Sequence, residues 1–127
     1  MPILTKEEAQ AILKKTLGFS KADECEVSIS GSEGGNIRYA RNAVSTAGEI
    51  STMGLAVTST FGKRSGTATI NEFDDASLEK VVRRAEELAK LAPENPEYVP
   101  LMGPQKFQES VTYNKATDEL TPEKRAE

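Results

Sequence analysis

The chain has 127 residues, the size of one modest domain, and mixes 37% apolar with 28% charged residues. Its net charge is −4 and no run of Lys or Arg exceeds two, which excludes the basic face of a dedicated nucleic-acid binder. With no histidine and one cysteine, Cys25, it has no internal disulfide and no His- or Cys-rich metal site. No apolar run approaches the ~20 residues that span a bilayer. The polar, acidic opening does not read as a signal peptide. These features predict a cytoplasmic protein with neither nucleic acid nor membrane as partner.

Taken in order, residues 5–17 predict a helix. Thr5 and Glu8 form a capping box, and Ala9, Ile12, Leu13 and Leu17 make one apolar face. Gly18 is placed to end it in the left-handed conformation. Residues 24–30 alternate, with Cys25, Val27 and Ile29 facing one way, as in a half-buried strand. Residues 31–35 (Gly-Ser-Glu-Gly-Gly) read as a flexible turn, and 36–41 as a second strand with Ile37 and Tyr39 opposite Arg38. A weaker strand follows at 43–51, broken by Gly48. A stronger one follows at 53–61, with Met53, Leu55, Val57 and Phe61 in phase and Thr58 and Thr60 toward solvent. Gly62-Lys63 supplies a tight turn into a strand at 64–70. Gly54 and Gly66 mark bulges or close approaches.

The strongest helical signal spans 76–91, capped by Asp75 or Ser77. Leu78, Val81, Val82, Ala85, Leu88 and Ala89 recur at helical spacing, and Glu79–Arg83, Arg83–Glu87 and Glu86–Lys90 are spaced to pair on the exposed side. Pro93 stops the helix. Four prolines between 93 and 104 predict an extended strap or linker. Near the end, Thr121 and Pro122 have the chemistry of an N-cap and a first helical residue. A helix announced so close to Glu127 reads as continuation into a longer protein. The organisation is therefore a core domain at 1–92, a proline-rich strap at 93–112 and the start of a following segment at 113–127. The fold class is α+β: a mainly antiparallel sheet of four to five strands with two helices on one face.

Chemically reactive groupings are sparse. Glu72, Asp74 and Asp75 form the densest acidic cluster, and its position reads as capping of the second helix rather than as a cation site. Cys25 has no histidine to activate it and belongs to an apolar alternation, so it reads as a core residue. The glycines at 31, 34 and 35 make no phosphate-binding fingerprint. Lys63 and Arg64 read as surface charge. Arg38, Tyr39 and Asn42, at the end of a strand, are candidates for contact with a peptide backbone or carboxylate. The Ser- and Thr-rich strands offer edges to which an extended peptide could add.

The segments RYARN (38–42), GKRSGTATINEFD (62–74) and LEKVVRRAEELAKLAPENP (78–96), in this order, resemble the N-terminal domain of the TldD/PmbA family of zinc metallopeptidases, also called modulators of DNA gyrase. The resemblance covers about residues 5–110. It implies a non-catalytic domain that helps to form a peptide-substrate cleft and subunit contacts in proteolysis, within a homo- or heterodimer. It puts the zinc ligands in a C-terminal part that this chain does not contain, and implies no cofactor and no catalytic residue here. The parent would be a metallopeptidase or its inactive partner subunit. The alternative is a stand-alone dimerising interaction module without enzymatic activity. The absence of histidine, a phosphate loop and paired catalytic carboxylates disfavours a small enzyme in its own right.

Overall fold

The computed structural model describes residues 3–127. Helix α1 (Lys6–Gly18) leads into three strands, β1 (Glu24–Ala40), β2 (Ala43–Phe61) and β3 (Arg64–Ile70). Helix α2 (Asp75–Leu91) follows, and two short helices, α3 (Lys115–Asp118) and α4 (Pro122–Ala126), close the chain. The sheet is antiparallel in the order β1-β2-β3. The α+β class and the antiparallel sheet are as expected, but the described residues form three strands, not four to five.

The difference lies in residues 31–35 and at residue 52, where the sequence predicts breaks. The glycine-rich stretch is not a turn but the middle of a 17-residue strand. Gly31 pairs with Met53, Gly34 with Ile50 and Gly35 with Glu49. A Cβ on Gly31 would meet Met53 Cγ at 3.3 Å, so the glycine leaves room for the methionine. The chain reverses instead at Arg41-Asn42, which join the paired Ala40 and Ala43 with φ of 50° and 63°. Two left-handed residues in a two-residue loop give the turn whose twist matches a hairpin, and asparagine tolerates that conformation well. Gly62 (φ 62°) makes the second reversal with left-handed backbone at its first position only. One bulge interrupts the long ladder. Arg38 pairs with Thr46 but Tyr39 pairs with Val44, leaving Ser45 as the extra residue. The Ser45 hydroxyl donates to the Arg38 carbonyl at 3.1 Å. Gly54 marks no bulge.

The core lies under one half of this sheet. Leu55 and Val57 of β2 meet Leu78, Val81, Val82 and Ala85 of α2, all buried. Ile12, Phe19, Cys25, Val27, Ala68, Ile70 and Phe73 pack around them. Leu17 is exposed, and Thr16 is the buried residue of α1, its hydroxyl returned to the Ile12 carbonyl at 2.8 Å. The capping box at Thr5 and Glu8 is present. Helix α1 runs through Gly18, and Phe19 caps it in right-handed geometry, so no left-handed glycine ends the helix.

Helix α2 begins one residue earlier than expected because Asp74 is its cap. The Asp74 carboxylate accepts from the Ser77 hydroxyl at 2.7 Å and from Ser77 N at 3.1 Å, and these bonds, the hydroxyl's first, hold its pKa below the ordinary value. Asp75 turns away to Lys15 of α1, 2.8 Å distant. Glu86 is buried rather than solvated. It takes Arg83 at 2.8 Å and the Lys21 backbone N–H at 3.1 Å, which ties α2 to the α1–β1 loop. Lys90, expected to pair with Glu86, lies over the Phe61 ring, 5.1 Å from its centre.

Gly66 sets the distance between helix and sheet. A Cβ there would collide with Ala89 N, and would lie 2.6 Å from Leu88 C and 2.7 Å from Ala85 O. All three are backbone atoms, which cannot swing aside as a side chain would. Gly66→Ala is expected to destabilise the domain by about 1–3 kcal/mol, the usual range for overpacking. Urea unfolding should show the midpoint falling at unchanged slope.

Candidate interaction site on the ribbon arm

Strand β3 pairs with β2 only from Leu55 to Phe61, and α2 packs over the same half. Residues 30–40 of β1 and 43–54 of β2 continue past this core as a two-stranded ribbon. At ~3.3 Å per residue the arm reaches about 35 Å from the sheet. Nearly all of it is exposed, including Tyr39, Val44 and Ile50. A two-stranded ribbon without a core is marginal by itself. Its outer edges are open to further pairing, apart from whatever the chain's own tail covers.

The tail covers one patch on the helix side of the arm. The Tyr39 hydroxyl donates to the Arg125 carbonyl at 2.8 Å. The Arg125 guanidinium occupies the space that a side chain on Gly35 would fill, with Cζ and Nη2 2.5 Å from that Cβ position. Thr121 caps α4 through Lys124 N at 3.3 Å, with Pro122 in the first turn, as the sequence indicates. Between arm and tail runs a shallow cleft of about 540 Å³, lined among others by Glu33, Glu49, Asp118, Leu120 and Arg125. Arg125 Nε has no hydrogen-bond partner. Carboxylates could accept from the N–H groups of a peptide in this cleft, and the guanidinium could donate to its carbonyls.

The three residues singled out from the sequence lie together at the arm's end but do not act as one surface. Arg38 and Tyr39 are neighbours in a strand and so point to opposite faces. Tyr39 is held by α4, and Asn42 serves the turn. Arg38 keeps its side chain on the face away from the tail. Glu33, Glu49 and Arg125 were not singled out. Their meeting depends on the unbroken β1–β2 pairing across 31–35, which the glycines disguised. In the sequence, the capped helix at Thr121 is the feature that points to this end of the chain. Among the described residues no group of three or more His, Cys, Asp or Glu side chains is placed to hold a metal. No helix among them is long and apolar enough to cross a membrane.

At the other end of the sheet, residues 92–101 cross from the β2–β3 turn to the start of β1. Arg64 donates to the Ala92 carbonyl at 2.7 Å, and Asn95 N donates to the Lys63 carbonyl at 2.9 Å. Glu24 then receives Leu101 N at 2.9 Å and the Tyr98 hydroxyl at 2.7 Å. Thr60, expected to face solvent, is only 4% exposed and bonds the Ser65 hydroxyl at 2.9 Å.

The model of the PmbA/TldA metallopeptidase domain 1 matches residues 25–89, which hold β2, β3, all of β1 but Glu24, and most of α2. The chain belongs to this family. Two solved structures share the TldD/PmbA fold. TldE from Thermococcus kodakarensis aligns at a TM-score of 0.75 and 22% identity, over 90% of this chain and 25% of its own. A protein described as a candidate modulator of DNA gyrase, from Bacteroides thetaiotaomicron, aligns at 0.64 and 17%, over 95% of this chain and 29% of its own. The chain thus spans between a quarter and a third of the solved TldD/PmbA-fold structures it matches. No curated protein matches it at a significant level.

Two outcomes test the geometry of this family member. The Leu101 N–H first and the Tyr98 hydroxyl second hold the Glu24 pKa below its ordinary 4.5, while Glu24 raises that of Tyr98. A depressed carboxylate stabilises above its unfolded pKa and loses that contribution as pH falls through the folded value. Amide protection at Leu101 should therefore be full at neutral pH and fall below pH 4.5, and Glu24→Gln should abolish that pH dependence. At Gly35 the obstacle is a flexible guanidinium rather than backbone. Gly35→Ala should leave the melting temperature unchanged while amide hydrogen exchange at 123–126 speeds several-fold.

Proposed function

We propose that this chain is the non-catalytic N-terminal domain of a TldD/PmbA-like zinc metallopeptidase, in which the ribbon arm helps to form the peptide-substrate cleft and the contacts between subunits. The observation that carries this reading is the arm itself: two fully paired strands that leave the core and present open edges and an adjoining polar cleft. Such edges take an extended peptide through main-chain hydrogen bonds, a recognition that depends little on sequence. Arg38 would hold a carbonyl or carboxylate of the peptide, with Tyr39 and Asn42 fixing the shape of the tip from which it projects. Zinc and its ligands would be supplied by the rest of a longer, cytoplasmic protein working as a homo- or heterodimer on peptides or unfolded segments. Among the described residues no group of three or more His, Cys, Asp or Glu side chains is placed to hold a metal ion.

The test is Arg38→Ala in the longer protein. Loss of a charge-assisted hydrogen bond of about 1.5–3 kcal/mol corresponds to a fall of roughly ten-fold or more in kcat/KM for peptide cleavage. Folding, read by circular dichroism, should not change. An unaltered kcat/KM would remove Arg38 from the substrate path.

A further inference from the structure

Residues 102–113 lie between the strap and α3 without secondary structure, and no backbone–backbone hydrogen bond joins them to the other described residues. Yet 106–113 (Lys-Phe-Gln-Glu-Ser-Val-Thr-Tyr) has the composition of a strand. Extended, it would carry Phe107, Val111 and Tyr113 on one side. Phe107 is 85% and Val111 99% exposed. Strand β1 pairs with β2 alone among the described residues, so its outer edge is unpaired along its whole length.

Ties at both ends of the segment lead to β1. Glu24 alternates with Cys25 and Val27, which face the core, and so lies on the sheet face away from the helices. It holds Leu101 N at 2.9 Å. At the other end the Tyr113 hydroxyl donates to Asp118 at 3.0 Å, and Asp118 lines the cleft together with Gly35. Helix α4 then reaches Gly35 and Tyr39 on the helix side. The chain thus passes from one face of β1 to the other, and the shortest way between the ties follows the outer edge of β1. Leu101 to Tyr113 spans nearly the same number of residues as Glu24 to Gly35. An extended segment between the ties therefore keeps pace with β1 and runs parallel to it.

We infer that residues 106–113 close onto the outer edge of β1 as a parallel fourth strand, and that their exposed form is a strap poised to do so. This rests on the edge-pairing part of the proposed function and narrows it. With the β1 edge taken by the chain's own segment, the β2 side of the arm is the edge left to a peptide. The ties also set the register. Tyr113 beside Gly35 puts Phe107 beside the half-buried Ile29, Glu109 beside Gly31 and Val111 beside Glu33, so that no like charges meet. Phe107 then extends the apolar surface that Val27 and Ile29 present on the helix side. Gln108 falls beside Ser30 on the opposite, polar face. Because both ends are already held, closure costs less loop entropy than it would for a free segment.

The test uses the chain carrying Cys25→Ala, Ser30→Cys and Gln108→Cys. Neighbouring residues on paired strands stand about 4.8 Å apart, within the span of a disulfide. Mild oxidation in dilute solution should link the two cysteines within one chain, as read by non-reducing electrophoresis and peptide mass. With Thr52→Cys in place of Ser30→Cys, the partner lies a further strand away and should stay reduced. Without the engineered cysteines, amide exchange at 106–113 should be about ten-fold slower than in a free peptide of that sequence. Phe107→Glu, a change at an exposed site, should remove that protection. Four results overturn the inference. Exchange as fast as in the free peptide means that the strap stays open. Protection untouched by Phe107→Glu comes from another contact. A link to residue 52 as ready as that to residue 30 puts the segment elsewhere on the ribbon. A link formed only between chains gives it to another molecule. The peptide-cleft reading is judged separately, by the cleavage assay on Arg38→Ala.

Discussion

Strands β1 and β2 stay hydrogen-bonded far beyond the core that supports them. Seventeen residues of β1 find partners on β2, but buried apolar side chains back only the half near Leu55 and Val57. The near half gains its stability from α2 and from the closeness that Gly66 permits. The far half has backbone pairing and little else, and an exposed ladder contributes only modestly once water competes for the same groups. Every other feature follows from this mismatch: the projecting arm, its open edges, the seat for Arg125 and the Arg41-Asn42 tip.

The chain secures the two halves differently. The core end is held redundantly: Asp74 caps α2, Glu86 staples α2 to the loop before β1, and Glu24 gathers the strap. The arm end is touched by one short helix through one hydroxyl and one guanidinium. A domain built this way keeps a fixed base and leaves its outer part responsive to whatever binds there.

Much of the fold was legible because strong periodicity was present. The stripe from Leu78 to Ala89 and the phase of Met53, Leu55 and Val57 named both sides of the core. Gly66 showed a close approach and Thr5 a cap. The arm was not legible for an equally physical reason. Where both faces of a ribbon meet water, nothing selects apolar residues at alternate positions, so 30–35 and 43–52 lack the signal that marks a strand. Glycine at 31, 34 and 35 then imitates a turn, while the true turn uses Arg41, a residue with no turn preference. The cleft at Glu33, Glu49 and Arg125 was hidden with the arm, because its parts meet only across the ladder and the tail.

The bulge at Ser45 carries a consequence for how such an arm tolerates change. An inserted or deleted residue that no bulge or turn takes up shifts the register, and a shift that reached Leu55 and Val57 would turn their side chains out of the core. Ser45 already absorbs one unmatched residue, between the Tyr39–Val44 and Arg38–Thr46 pairs. Length changes on the tip side of that point alter the arm's reach and the aim of Arg41 and Asn42, and leave the packed base in register. The outer tip is thus free to diverge in length and chemistry at little cost to folding, while the base must conserve its spacing residue by residue.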